Sequence, residues 1–312
     1  MLRPTEIEAM LFLLDDTDEG IVKAVESRFF AEGMEVLPSL EAYWQTNQDP
    51  LIAARIEEII QAIQQNALHT DIAKWLDKGG TDLLEAAIMV ARIQYPGLNT
   101  HLVHHFIEKV KADAWPALFN AQSPYDKVHA LNHIFFDRQG MTGNNENYHA
   151  PDNSLINRVI ETRRGNPITL CILYSVIAQR LGMPVFGVNL PQHFVLAWCD
   201  DSHIAGGVPL KTDGILQREW YGDVLFYLNP FSRGQIFVQK NIDDFLQVIK
   251  VEQDPVFYEP CANVEILKRM LRNLHYAYSE IRNVAGQNKV ESFMRQLGMM
   301  GELDAGSDSS ED

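Results

Sequence analysis

The chain has 312 residues, a formal charge of −16 and a 46% apolar content that includes 15 Phe and 10 Tyr. That is enough for one large domain or two or three modest ones with a sizeable core. The acidic balance excludes nucleic acid as a main partner, because phosphate binding needs clustered Lys and Arg, and it equally disfavours an anionic membrane surface. No apolar run approaches the roughly 20 residues needed to span a bilayer. The opening "MLRPTEIEAMLFLLDD" turns acidic at once and lacks a small-residue cleavage site, so it does not read as a signal peptide. Three widely spaced cysteines make neither a disulfide framework nor a CxxC pair, and a reducing cytoplasm is the expected compartment.

Residues 5–65 are predicted entirely helical, from the spacing of apolar residues in "EIEAMLFLL", "IVKAVESRFF" and "LIAARIEEIIQAI". The acidic turn "DDTDEG" offers Asp or Thr as a cap for the helix that follows. From 66 to about 139 come "HTDIAKWLDKG", "TDLLEAAIMVARIQY", "HLVHHFIEKVKADAW" and "PYDKVHALNHIFFDR", punctuated by Gly and Pro. "QGMTGNNENYHAPDN" is a polar loop of a length that is often functional, and "SLINRVIETRR" and "PITLCILYSVIAQR" are the next helices. Past Gly182, "PVFGVNL", "HFVLAWC" and "VLFYLNP" are short and rich in β-branched and aromatic residues, which predicts strands, with a longer connection over 200–223. Helices resume at "IDDFLQVIK" and "NVEILKRMLRNLHYAYSEI". The end of the chain, 300–312, is acidic and small and is expected to be disordered. The order is α+β, predominantly helical. No Gly/Ser- or Pro-rich linker follows residue 65, so 1–65 is expected to form a layer stacked on the rest rather than a tethered domain.

The helix beginning at Pro167 is well specified. Asn166 suits the N-cap, Pro167 the first helical position and Gly182 the C-terminal cap, and Pro184 prevents continuation. Leu170, Cys171, Tyr174, Ile177, Ala178 and Leu181 share one face, so Cys171 reads as a small buried hydrophobe with a raised pKa rather than as a nucleophile. His193 opens a predicted strand, where a side chain can face a cleft or the core. Asn229 precedes Pro230 and, alone, is an ordinary turn initiator. His101 and His105 lie one helical turn apart, a chelating spacing, but no third ligand stands nearby, and a solvated helix face is the expectation. No phosphate-binding glycine loop and no GxSxG occur.

Taken together, Tyr148, Pro151, Asn153 and Ser154, then "RRGNPITL", "LPQHF" and "NPFSRG" resemble the bacterial SirB-type proteins with a transglutaminase-like core. The resemblance covers roughly 66–299. It implies a transglutaminase/papain-like core with a small antiparallel sheet over 66–250, with "EPCANVEILKRMLRNLHYAY" in a TPR-like helical tail over 251–299. The segment from "LLDDTDEG" to "LEAYW" resembles a HEAT-type repeat, giving a HEAT-like region over 1–65. The superfamily's enzymes carry a nucleophilic cysteine at the head of the core helix, a histidine on the next strand and an Asp or Asn that orients it. Aligned by the Leu-Gly end of that helix, the nucleophile position falls on Pro167, the histidine on His193 and the orienting residue on Asn229. Cys171 lies four residues further on, roughly 6 Å deeper along the axis.

The resemblance therefore implies a degenerate triad and a non-catalytic interaction or regulatory protein. Its cleft would be lined by Tyr148, Asn153, Arg164, Asn166 and Gln192, and a protein or peptide would be its partner. No cofactor or metal is expected. The rival reading is a thiol amidase, protease or transamidase using Cys171, His193 and Asn229. A third is a His193–Asn229 site acting through water.

Overall fold

A computed structural model describes residues 2–199 and 223–299. The connection 200–222 and the acidic end 300–312, expected to be disordered, lie outside the described residues. The chain forms two compact units, Met1–Ala73 and Lys74–Asp312.

The first unit contains α1 (Pro4–Phe12), α2 (Glu19–Glu32), α3 (Leu37–Thr46) and the first part of α4 (Pro50–Asp77). Asp18 caps α2 by accepting from the Gly20 N–H, as the acidic turn predicts. Phe29, Leu14, Leu40 and Ile56 are fully buried at the centre of its core. The sequence suggests two helices where α4 is a single one of 28 residues. The stretch "QQNALHT" between them holds no Gly or Pro to stop propagation.

The second unit contains α5 (Leu83–Gln94), α6 (Thr100–Leu118), α7 (Pro124–Asn132), α8 (Ile156–Thr162), α9 (Pro167–Arg180), α10 (Gln239–Val248), α11 (Asn263–Glu280) and α12 (Val284–Gln296). Two short strands, β1 (Thr142–Gly143) and β2 (Arg164–Gly165), pair in parallel. The main sheet is antiparallel in the order β3 (Val185–Asn189), β4 (Phe194–Cys199), β5 (Val224–Asn229) and β6 (Gln235–Phe237). This is the expected helical α+β fold with a small antiparallel sheet. Among the described residues, no helix is long and apolar enough to cross a membrane.

α9 is the axis of this unit. The sequence suggests an apolar stripe, but every residue from Ile168 to Ala178 is buried. A helix apolar on all sides must be enclosed on all sides, and α9 packs against α5, α6, α8, α11, β3 and β4. Its ends are built as the sequence predicts. The Asn166 Oδ1 accepts from the Thr169 N–H at 2.9 Å, and Pro167 occupies the first position, where an N–H would have no partner. At the far end Gly182 has φ +73°. There the Gly182 N–H donates to the Gln179 carbonyl and the Met183 N–H to the Ala178 carbonyl, a Schellman pair.

The two faces of the sheet differ. Val195, Ala197 and Cys199 of β4 pack with Ile242 and Leu246 of α10. By alternation Phe194, Leu196 and Trp198 point the other way, toward α9.

Asn132 links three distant segments: it accepts from the buried Tyr174 hydroxyl at 2.9 Å and donates to the Gly234 carbonyl at 3.1 Å. Gly234 has φ +70°, and a Cβ there would lie 2.1 Å from Asn132 Oδ1. Gly234→Ala therefore combines a left-handed backbone with a clash against a polar hub. It should cost about 2–5 kcal/mol, summing the two penalties. Urea unfolding should show a lower midpoint with an unchanged slope.

Candidate functional site

The head of α9 opens into a cavity of about 190 Å³ lined from three parts of the chain. The 144–154 loop contributes Tyr148, His149 and Ser154, the turn before β4 contributes Gln192 and the first residue of β4, Phe194, follows it, and α11 contributes Arg269, Asn273 and Tyr276. Asn166 and Pro167 form its floor.

The loop is held by amide side chains. Buried Asn153 donates to the Asn147 carbonyl at 2.7 Å and the Tyr148 carbonyl at 2.9 Å, while its Oδ1 accepts from Asn144. Asn166, besides capping α9, donates to Ser154 Oγ at 2.9 Å. The backbone adds Thr142 N–H to the Arg163 carbonyl and Asn144 N–H to the Gly165 carbonyl. The loop is thus strapped to the segment that leads into α9, and short amides satisfy backbone groups that no regular structure reaches.

Cys171, His193 and Asn229 each make contacts of their own. Cys171 is fully buried, and its thiol donates to the Phe194 carbonyl at 3.5 Å. Burial pushes its pKa well above the ordinary thiol value, and the more distant Arg269 charge offsets this only in part. His193 stands exposed just before β4. Its ring lies 4.8 Å from that of Phe245, on the α10 face of the sheet rather than the α9 face. Partial desolvation lowers its pKa, and the Arg269 charge adds to the shift. The Asn229 Oδ1 accepts from the Phe231 and Ser232 N–H groups, and its amide donates to Ser232 Oγ, so it caps the turn after β5.

Of the residues expected in the cleft, Tyr148, Asn166 and Gln192 line the cavity. Asn153 shapes its loop from behind. Arg164 is exposed and ion-paired with Glu146 at 2.6 Å.

Sequence reasoning missed Arg269, Asn273 and Tyr276. A signal existed: Arg269 and Asn273 sit at helical spacing between Ala262, Ile266 and Ala277, all buried, and two polar residues in an apolar stripe require a polar environment. Arg269 Nη1 donates to the Leu190 carbonyl at 2.6 Å and to Asn189 Oδ1. Its guanidinium lies 5.6 Å from the Phe194 ring centroid.

A buried helix packed on an antiparallel sheet, with a cavity at its head, is consistent with a transglutaminase-like core. Residues 101–272 match the model of the transglutaminase-like superfamily, and the chain belongs to it. It is 29% identical over 212 residues to a "UPF0162 protein" of Xylella fastidiosa, a match covering 63% of this chain and 65% of that one. A UPF0162 protein of Pasteurella multocida is 36% identical over 153 residues, 48% of this chain and 58% of that protein. Human F-box only protein 21 is 28% identical over 145 residues, 46% of this chain and 20% of its own length. No solved structure matches the chain.

Buried thiols make stability fall in alkali. Burial also raises Cys199, and partial burial raises Cys261 to about 12. An unfolded thiol ionises near pH 8.5, so the unfolded state loses protons that the folded state keeps. The stability contributed is complete below that pH and lost as pH rises. Urea unfolding between pH 8.5 and 10 should lose up to about 1.4 kcal/mol per pH unit for each buried thiol. Cys171→Ala should make the decline shallower by one such contribution.

Proposed function

We propose that this protein is a non-catalytic member of the superfamily that holds a protein or peptide at the head of α9, and that it works in the cytoplasm as a regulatory or interaction protein. The observation that carries this reading is Pro167. It occupies the helix head facing the cavity, where the superfamily's enzymes carry their nucleophile, and it has neither a nucleophilic atom nor an N–H. The nearest thiol, Cys171, is one turn deeper and fully enclosed. Chemistry of this class needs a thiolate at the helix head with imidazole in hydrogen-bond reach. In support, Cys171 donates to a carbonyl and His193 packs on the other face of the sheet. The specific kinship we favour is with the SirB-type proteins. In this reading the helices of 1–65 and 251–299 are HEAT- and TPR-like scaffolds around the core at 66–250, suited to presenting a binding surface.

Iodoacetamide labelling at neutral pH tests the proposal. Cys171 should label slowly in the native protein and rapidly only after denaturation. Pro167→Cys, which puts a thiol at the accessible helix head, should label in the native state at least about tenfold faster than Cys171. Rapid, stoichiometric labelling of Cys171 that His193→Ala abolishes would overturn the reading in favour of a thiol enzyme.

A further inference from the structure

The cavity at the head of α9 has a charge pattern opposite to that of the whole chain. The protein carries 42 Asp and Glu against 26 Lys and Arg, yet among the described residues no acidic one lines this cavity and Arg269 does. Arg269 is partly buried, and desolvation depresses its pKa. A guanidinium in such a place ordinarily has a carboxylate partner. Among the described residues Arg269 has none. Its acceptors are the Leu190 carbonyl and Asn189 Oδ1, and both take Nη1.

The edge formed by Nε and Nη2 is therefore left over, and it is one of the edges that a carboxylate can grip with two parallel hydrogen bonds. That edge is not sealed in protein. Among the described residues, the buried side-chain atoms without a partner are Asn157 Oδ1 and Arg163 Nη1, not those of Arg269. Around Arg269 stand the amides of Gln192 and Asn273 and the rings of Tyr148 and Tyr276. The amides suit the backbone of an extended chain, and the rings its apolar atoms. At about 190 Å³ the space is smaller than the roughly 300 Å³ at which pockets for whole drug-sized ligands begin, and it suits a single residue.

We propose that this cavity binds one carboxylate-bearing residue of a peptide, with Arg269 as the recognising cation. This rests on the non-catalytic peptide-binding reading and specifies what that site selects. The carboxylate can be a chain terminus or an Asp or Glu side chain, which are chemically alike at the guanidinium.

Ligand-observed saturation-transfer NMR on the full chain distinguishes the two sources. N-acetyl-phenylalanine, with a terminal carboxylate, is titrated against N-acetyl-phenylalaninamide. N-acetyl-glutamate α-amide, with a side-chain carboxylate, is titrated against N-acetyl-glutamine amide. At least one acid should bind about tenfold more tightly than its neutral partner, the scale of a charge-assisted pair, and that acid identifies the source. Arg269→Met should abolish the preference. Because Arg269 also ties down Asn189 and Leu190, a second variant avoids removing it. Asn273→Glu places a carboxylate one helical turn from Arg269, where it can occupy the guanidinium from within the helix. It should lower the acid's affinity about tenfold and leave the helical circular dichroism unchanged. Neither acid exceeding its amide would overturn the inference, as would an acid preference that survives in folded Arg269→Met and Asn273→Glu. Equal binding of acids and amides would remove the carboxylate selectivity and leave peptide holding intact. The thiol-labelling result is independent of either outcome.

Discussion

Much of the second unit follows from one constraint: α9 has no face that can meet water. Ile168 to Ala178 are buried without a break, and each large apolar side chain among them contributes on the order of 1.5–3 kcal/mol by leaving water. The helix cannot obtain that from one neighbour. It draws on α5 and α6 before it, β3 and β4 after it, and α11 almost a hundred residues further on. Its flanks being covered, only its ends can meet solvent or a ligand. The C-terminal end is closed by the Schellman turn at Gly182. The N-terminal end borders the cavity.

The same enclosure decides the chemistry of the thiol. A helix N-terminus favours an anion by roughly 0.3–1 kcal/mol, and the effect fades beyond the first turn. Desolvation of a fully buried group can shift its pKa by several units in the opposite direction. Cys171 lies beyond the first turn and is fully buried, so desolvation wins and the thiol stays neutral. At the helix head the balance would favour an anion, but the residue there is proline. The stability of the core and the neutrality of Cys171 are thus two consequences of one packing arrangement.

Asparagine does much of the work that strands and helices do elsewhere. Asn132 joins α7, α9 and the turn before β6, Asn153 gathers the loop that carries Tyr148, Asn166 starts α9, and Asn229 starts the turn after β5. Each is a short side chain with one acceptor and two donors, able to satisfy backbone groups at places where the chain changes direction. Asn153, Asn166 and Asn229 stand in the blocks "PDNS", "RRGNPITL" and "NPFSRG", which made the family resemblance specific. Their physical content is the bracing of the cavity and its surroundings.

The sequence by itself determined the elements and their ends. The Asn166–Pro167 start, the Gly182 stop, the three strands after it and the helical regions on either side follow from capping, backbone freedom and periodicity, which are local properties. It also determined that Cys171 is buried, because a cysteine among apolar helical neighbours has nowhere else to go. Only the tertiary structure decided which side chains meet. A histidine at the start of a strand can face either side of the sheet, and the pairing of β4 turns His193 toward Phe245 rather than toward α9. Asn229 is consumed by its own turn. Arg269 reaches the cavity from α11, 102 residues after Pro167, and no local pattern specifies that distance. Its position is fixed by how far the helices and sheet must close to cover α9, which is a property of the packed whole.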